Sequence, residues 1–167
     1  MTIALGYVFL LSWALWIGAI VFFLFVVTPT AFRTLEMEHT GKFIRAVSPR
    51  YYRVGLVCGL LGLLSGGSLI AMRLWPWQGG VTVLVLVFGM LVVVFWAHQR
   101  LVPRMDSLRD EAHEARDQDD PEAREEVLLR WQRLHRLSVR LNLLVLLLGL
   151  ATGWMWLNCW LVLPGRW

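Results

Sequence analysis

Four long stretches of this sequence contain no Asp, Glu, Lys or Arg: ahead of Arg33, between Arg53 and Arg73, between Arg73 and Arg100, and between Arg140 and Arg166. Each is long enough to cross a bilayer, which takes roughly 20 apolar residues as a helix. The absence also bears on function. Proton-coupled transporters and pumps usually carry an ionisable side chain within the membrane, and these stretches have no Asp, Glu, Lys or Arg. Cysteine is scarce as well. Cys58 and Cys159 are the only two, and no Cys-x-x-Cys pair exists. Cys58 is expected within the second stretch and Cys159 near the far end of the fourth, at depths too different for a disulfide. Both are expected to be small packing residues. A Walker loop, zinc-ligand spacing, a Ser/His/Asp set and a nucleotide-binding glycine pattern are all missing.

What is present is apolar. The chain has 167 residues, 57% of them hydrophobic, with mean hydropathy +0.58. A soluble domain of this length has too little interior for that much apolar surface. The stretches are continuously apolar rather than alternating, which favours helices over a barrel. An all-α integral membrane protein is predicted, a single domain of four spans at about 3–27, 54–72, 81–97 and 141–163. The first span lacks a positively charged leader and an obvious cleavage site, and is expected to stay as an anchor. The segments Arg33–Arg53 and Arg100–Arg140 hold fourteen of the sixteen basic residues. Basic residues are retained in the cytoplasm, so both segments are expected inside a bacterial inner membrane and both termini outside. The net charge of +4 then needs no nucleic-acid partner.

Local signals refine this picture. Pro29 lacks an amide hydrogen and is expected to break or kink the first helix. The next segment reads as a short surface helix with Phe32, Leu35, Phe43 and Ile44 toward lipid, and Ser48-Pro49 as the opening of the second span. Gly55, Gly59, Gly62 and Gly66 share one helical face, a groove for the first helix or for another copy of the chain. Trp75 and Trp77 read as interfacial anchors in a turn. Between the third and fourth spans, Leu101, Met105, Leu108, Ala112 and Ala115 recur at heptad spacing, as do Val127, Trp131, Leu134, Ser138 and Leu141. Asp120 and Pro121 suit a helix start. The third and fourth helices are therefore expected to continue as an antiparallel coiled-coil hairpin over about 100–138, with Leu108 against Trp131.

Candidate polar residues are few. His135, Ser138 and Asn142 share a face, and Asn142 needs a partner inside the membrane. His98 is expected about six residues, roughly 9 Å, deeper than His135. Two histidines on neighbouring helices raise haem or copper ligation as an alternative to interfacial hydrogen bonding. No confident metal site or other cofactor is predicted.

Trp16-x-Gly18, Phe22 or Phe23, Pro29 and Phe32, the pair Tyr51-Tyr52 and the run Leu134-His135-x-x-Ser138-x-x-x-Asn142 resemble a small four-helix family of unknown function. Its type is the domain of unknown function 4149, and its eukaryotic members are called transmembrane protein 205. The resemblance implies four spans and no established enzymatic activity. Through a eukaryotic member associated with platinum-drug resistance, it also implies metal or small-molecule handling. Copper-resistance protein D and the membrane-integral protoporphyrinogen oxidases look more distantly similar. The oxidases use an early-helix His and a later Lys, which these spans lack, and the copper proteins' outer His or Met cluster is absent.

The expected function is that of a non-catalytic membrane protein, either a structural or accessory subunit of a membrane complex or a small-molecule or metal tolerance factor. The alternative is a haem- or copper-handling redox protein using His98 or His135. Topology is directly testable after replacing Cys58 and Cys159 with serine. An impermeant maleimide should label Gln78→Cys in intact cells and Gln118→Cys only after permeabilisation. The reverse pattern would invert the orientation.

Overall fold

The computed structural model describes residues 2–161, without the side chains of residues 2, 37, 38 and 159–161. The side chain of Cys159, and Arg166, lie outside the described residues. All regular structure among the described residues is helical: α1 (Thr2–Phe22), α2 (Thr28–Thr34), α3 (Met37–Ala71), α4 (Trp77–Trp96), α5 (Val102–Asp117) and α6 (Pro121–Leu161). A π-helical segment, Phe23–Val27, joins α1 to α2, and another, Ala97–Leu101, joins α4 to α5. The chain therefore forms four long rods, each with an apolar window long enough to cross a membrane. It is a membrane protein whose rods lie in lipid.

The two π segments have a common cause. A proline ring clashes with the carbonyl four residues earlier and offers no N–H. Pro29 and Pro103 each stand second after a π segment. There the register widens, so that the Thr28 N–H donates to the Phe23 carbonyl and the Val102 N–H to the Ala97 carbonyl. The helix continues past each proline instead of ending. Pro29 thus does not terminate the first rod, which runs on to Thr34. Pro49 does not open the second rod but lies inside α3. The expected surface helix is really the first turns of α3. Phe43 and Leu35 are exposed as anticipated, but Ile44 faces inward onto a crevice between the rods. Thr40 fastens the α2–α3 turn, its hydroxyl lying 3.1 Å from the Ala31 and Leu35 carbonyls.

Two other turns reverse the chain. After α3, the Leu74 N–H reaches back to the Leu69 carbonyl and Arg73 takes φ 56°. After α5, the Asp120 N–H reaches the Ala115 carbonyl and Asp119 takes φ 55°. This left-handed residue with a six-residue backbone bond is the Schellman helix stop. An Asp120 carboxylate oxygen then accepts the Ala123 N–H at 3.0 Å and starts α6.

The rods form a ring in which α1 packs on α3, α3 on α4, α4 on α6, and α6 back on α1. In lipid such contacts gain little from the hydrophobic effect and depend on close van der Waals fit. Tryptophan supplies that fit. Trp16 is buried on the glycine face of α3, and a Cβ built on Gly55 would lie 2.8 Å from its indole nitrogen. A Cβ on Gly59 would lie 2.6 Å from Leu91 and 2.7 Å from Trp16. Trp13, one turn away, faces α6. A Cβ on Gly153 would meet its ring at 2.4 Å, and its indole N–H donates to the Gly149 carbonyl at 2.8 Å. The glycine groove is thus filled from within the chain. Trp75, expected as an interfacial anchor, is instead buried edge-on to Phe9, whereas Trp77 and Trp154 are exposed. Cys58 is buried, as expected of a packing residue.

α5 runs back along the first half of α6. Its buried and half-buried positions include Met105, Leu108, Ala112 and Ala115, in line with Leu101 at the end of the preceding π segment, and those of the facing half of α6 include Val127, Trp131, Leu134, Ser138 and Leu141.

The glycine contacts predict an unequal response to one added methyl group. Gly59→Ala should lower thermal stability in mild detergent by about 1–3 kcal/mol, the usual cost of overpacking. Gly18→Ala, with nothing within 4 Å of its Cβ, should leave stability unchanged or slightly raised. Equal melting temperatures for the two variants would contradict the lock.

Candidate binding crevice at the charged end

All four rods meet in a crevice at the end of the bundle where the charged segments begin. It lies just beyond the two π segments and takes residues from both of the elements that follow them. Thr28 and Phe32 come from the first rod, Ser48 and Tyr52 from α3, Asp106 and Arg109 from α5, and Trp131, His135 and Ser138 from α6. Its free volume is about 50 Å³. A water needs about 10–15 Å³ by this measure, so three or four water-sized groups fit.

The aromatic side chains are stacked. Trp131 and His135 lie face to face at 5.0 Å and 8°, as their i, i+4 spacing on α6 permits. The Arg109 guanidinium sits 5.2 Å over the Trp131 ring, within cation–π range. Phe32 approaches His135 at 6.1 Å. Deeper in the bundle, Tyr51 stacks on Phe23 at 4.5 Å, and Tyr52 on His98 at 6.1 Å.

Below the crevice the polar side chains pair across helices. Asn142, buried on α6, accepts a hydrogen bond from the Tyr51 hydroxyl at 2.8 Å, which supplies the partner the sequence required. The hydroxyls of Tyr52 and Ser138 lie 3.5 Å apart. The expected polar face of His135, Ser138 and Asn142 is therefore met by Tyr51 and Tyr52 of α3. His98 joins it through Tyr52, not through contact with His135, and its Nδ1 is buried without a hydrogen-bond partner. Among the described residues no group of three or more His, Cys, Asp or Glu side chains could hold a metal ion.

Charge clusters at the crevice mouth. Arg45 forks onto Asp110 at 2.6 and 3.1 Å and lies 3.9 Å from Asp106. Arg109 approaches Asp106 at 3.5 Å. Burial pushes the Asp106 carboxyl above its ordinary value, with both arginines opposing the shift. Burial also lowers the Arg109 guanidinium from its usual range, though it stays charged at neutral pH. His135 is held below the usual histidine range, first by burial and then by the positive charge of Arg109.

The motif residues divide between these regions. Trp16 is the wedge in the bundle, Pro29 sets the π segment and Phe32 reaches the crevice, whereas Gly18 and Phe22 face outward. Sequence reasoning missed Arg109, Asp106 and Tyr52 as crevice residues. The available signal was the matched placement of Pro29 and Pro103, since π segments recur at functional sites.

Comparison with known proteins places the chain in a family. The family described as Domain of unknown function (DUF4149) matches residues 11–114, more than half of the chain, and the protein belongs to it. No curated protein and no solved structure matches.

The Tyr51–Asn142 bond predicts a measurable coupling. Unfolding in detergent of Tyr51→Phe, Asn142→Leu and the double variant should give an interaction energy of about 0.6–1.7 kcal/mol, the range of interhelical hydrogen bonds in membranes. Simple additivity would show that the bond does not hold α3 to α6.

Proposed function

We infer that the protein is a non-catalytic component of a bacterial inner membrane, with both termini outside and the α5–α6 hairpin in the cytoplasm. It acts as an accessory subunit that docks a protein partner through this hairpin. The observation in support is the pair Leu128 and Leu129. Their side chains are 37% and 49% exposed, although Arg124, Glu125, Glu126, Arg130 and Arg133 around them put this level in water. Exposed leucines in the spans have lipid as their cover, and these two do not. The rest of the hairpin surface is charged in both signs, with Glu126 paired to Arg130. That is the polar rim expected around a small apolar contact.

The accessory role is favoured over small-molecule or metal tolerance because Trp13, Tyr51 and Asn142 are spent on joining helices and Ser65, Ser68 and Thr152 on carbonyls of their own helices. A photocrosslinking residue at position 129 should capture a discrete protein in cells, and the same residue at the lipid-facing position 60 should not. Absence of a protein adduct at 129, or identical adducts at both positions, would contradict docking by the hairpin.

A further inference from the structure

The crevice has an unfilled demand for an oxyanion. Trp131 is one of its lining residues, and the Trp131 indole N–H is buried without an acceptor. An indole nitrogen can only donate, and a buried donor without a partner costs about 1–3 kcal/mol. Over the face of the same ring lies Arg109, whose side chain is 16% exposed. Its Nη1 has only long contacts, 3.4 Å to the Gly41 carbonyl and 3.5 Å to Asp106. Its Nε and Nη2 donate to nothing among the described residues. A guanidinium has five N–H groups in a planar fork suited to phosphate and carboxylate, and most of this one is unused.

Asp106 is the sole carboxylate lining the crevice. It stands between two guanidiniums, since Arg45 also approaches it. An incoming anion can therefore take the free edge of Arg109 while Asp106 stays neutralised. A cationic ligand would compete with both arginines for one carboxylate and would leave the Trp131 donor empty. The space matches, because three or four water-sized groups are about the oxygens of one phosphate, and a carboxylate, with two, also fits. Phe23, Ile44, Val102 and Met105 supply apolar wall. The crevice also opens where the charge-free spans give way to charged segments, the level of lipid headgroups.

We propose that Arg109 and the Trp131 indole N–H form a binding site for an oxyanionic group, phosphate or carboxylate, carried by an amphiphile whose first carbons lie on the apolar wall. This site is independent of the docking surface at Leu128 and Leu129. The amphiphile is a lipid if the headgroup source is the bilayer, and the bare anion suffices if the source is soluble.

The test uses the full-length protein in neutral detergent, titrated with short-chain phosphatidylglycerol, short-chain diacylglycerol and inorganic phosphate, with melting temperature and native mass spectrometry as readouts. Saturable binding of phosphatidylglycerol is expected, weakened about tenfold or more in Arg109→Gln and in Trp131→Phe, the scale of one charge-assisted hydrogen bond. Arg124→Gln, an exposed charge on the same hairpin, should bind as the parent does. Trp131→Phe keeps the aromatic ring, so it reports on the N–H even if Arg109→Gln folds poorly. Competition by millimolar phosphate would identify a soluble anion as sufficient, and binding of phosphatidylglycerol without such competition would identify the lipid. Equal affinity of Trp131→Phe and the parent, equal affinity for diacylglycerol and phosphatidylglycerol without phosphate competition, or no saturable binding of any probe would overturn the site.

Discussion

The bilayer offers no water to a backbone N–H or carbonyl, so each rod must satisfy its own peptide groups. Everything distinctive about this bundle follows from meeting that requirement around its prolines. A proline in a span removes one donor and pushes one carbonyl aside. Here Pro29 and Pro103 are absorbed by widening the preceding turn to the π register. Because both π segments lie at the charged end, the rods are disturbed there and regular elsewhere. The crevice, the tyrosine pair and the Arg109–Trp131–His135 stack all lie at or next to that disturbed level.

Away from it, contact between rods is a matter of shape. Lipid tails are as apolar as leucine, so association rests on dispersion and a few hydrogen bonds. Trp13 and Trp16 leave α1 one turn apart and enter glycine-lined hollows on two different helices, α6 and α3. A bulky ring from one rod met by absent side chains on two others fixes the position of α1 in the ring. The Trp13 N–H bond to the Gly149 carbonyl adds direction to that fit. Ser12, Ser65 and Thr152 are buried in the same region. Ser65 and Thr152 bond to carbonyls of their own helices, so they leave no polar group waiting for water or substrate.

Much of the architecture was legible in the sequence because it depends on charge placement and periodicity. Charge-free runs give the four spans. The glycine spacing on α3 gives a groove, and the Asp120-Pro121 helix start is where it was expected. Proline was misread. Pro29 reads as a break or kink and Pro49 as a helix start, because a proline disfavours helix locally, but the chain stays helical through both, at Pro29 by way of the π register. The site was only half visible. Asn142 declared its need for a partner, because an unpaired amide in lipid is costly. Nothing local, however, singles out Tyr51, and Arg109 reads as one more surface charge until the turn of the hairpin brings it over Trp131. Tryptophan near a predicted interface looks like an anchor, and only the fold separates the exposed Trp77 from the buried Trp16 and Trp75.

The central claim is that the bundle has its polar opening at the charged end, whereas the larger hollow deeper down, lined by Phe9, Trp13, Thr152 and Trp156, is apolar and admits no charged solute. Single cysteines scanned with a small charged thiol reagent in membrane vesicles of known orientation test it most directly. Cysteines at Thr28, Ser48 and Ser138 should react from the hairpin side alone, and cysteines at Ser12, Ser65 and Thr152 should react from neither side. Reaction at Ser65 or Thr152 would contradict the account and point to a water-filled path through the bundle.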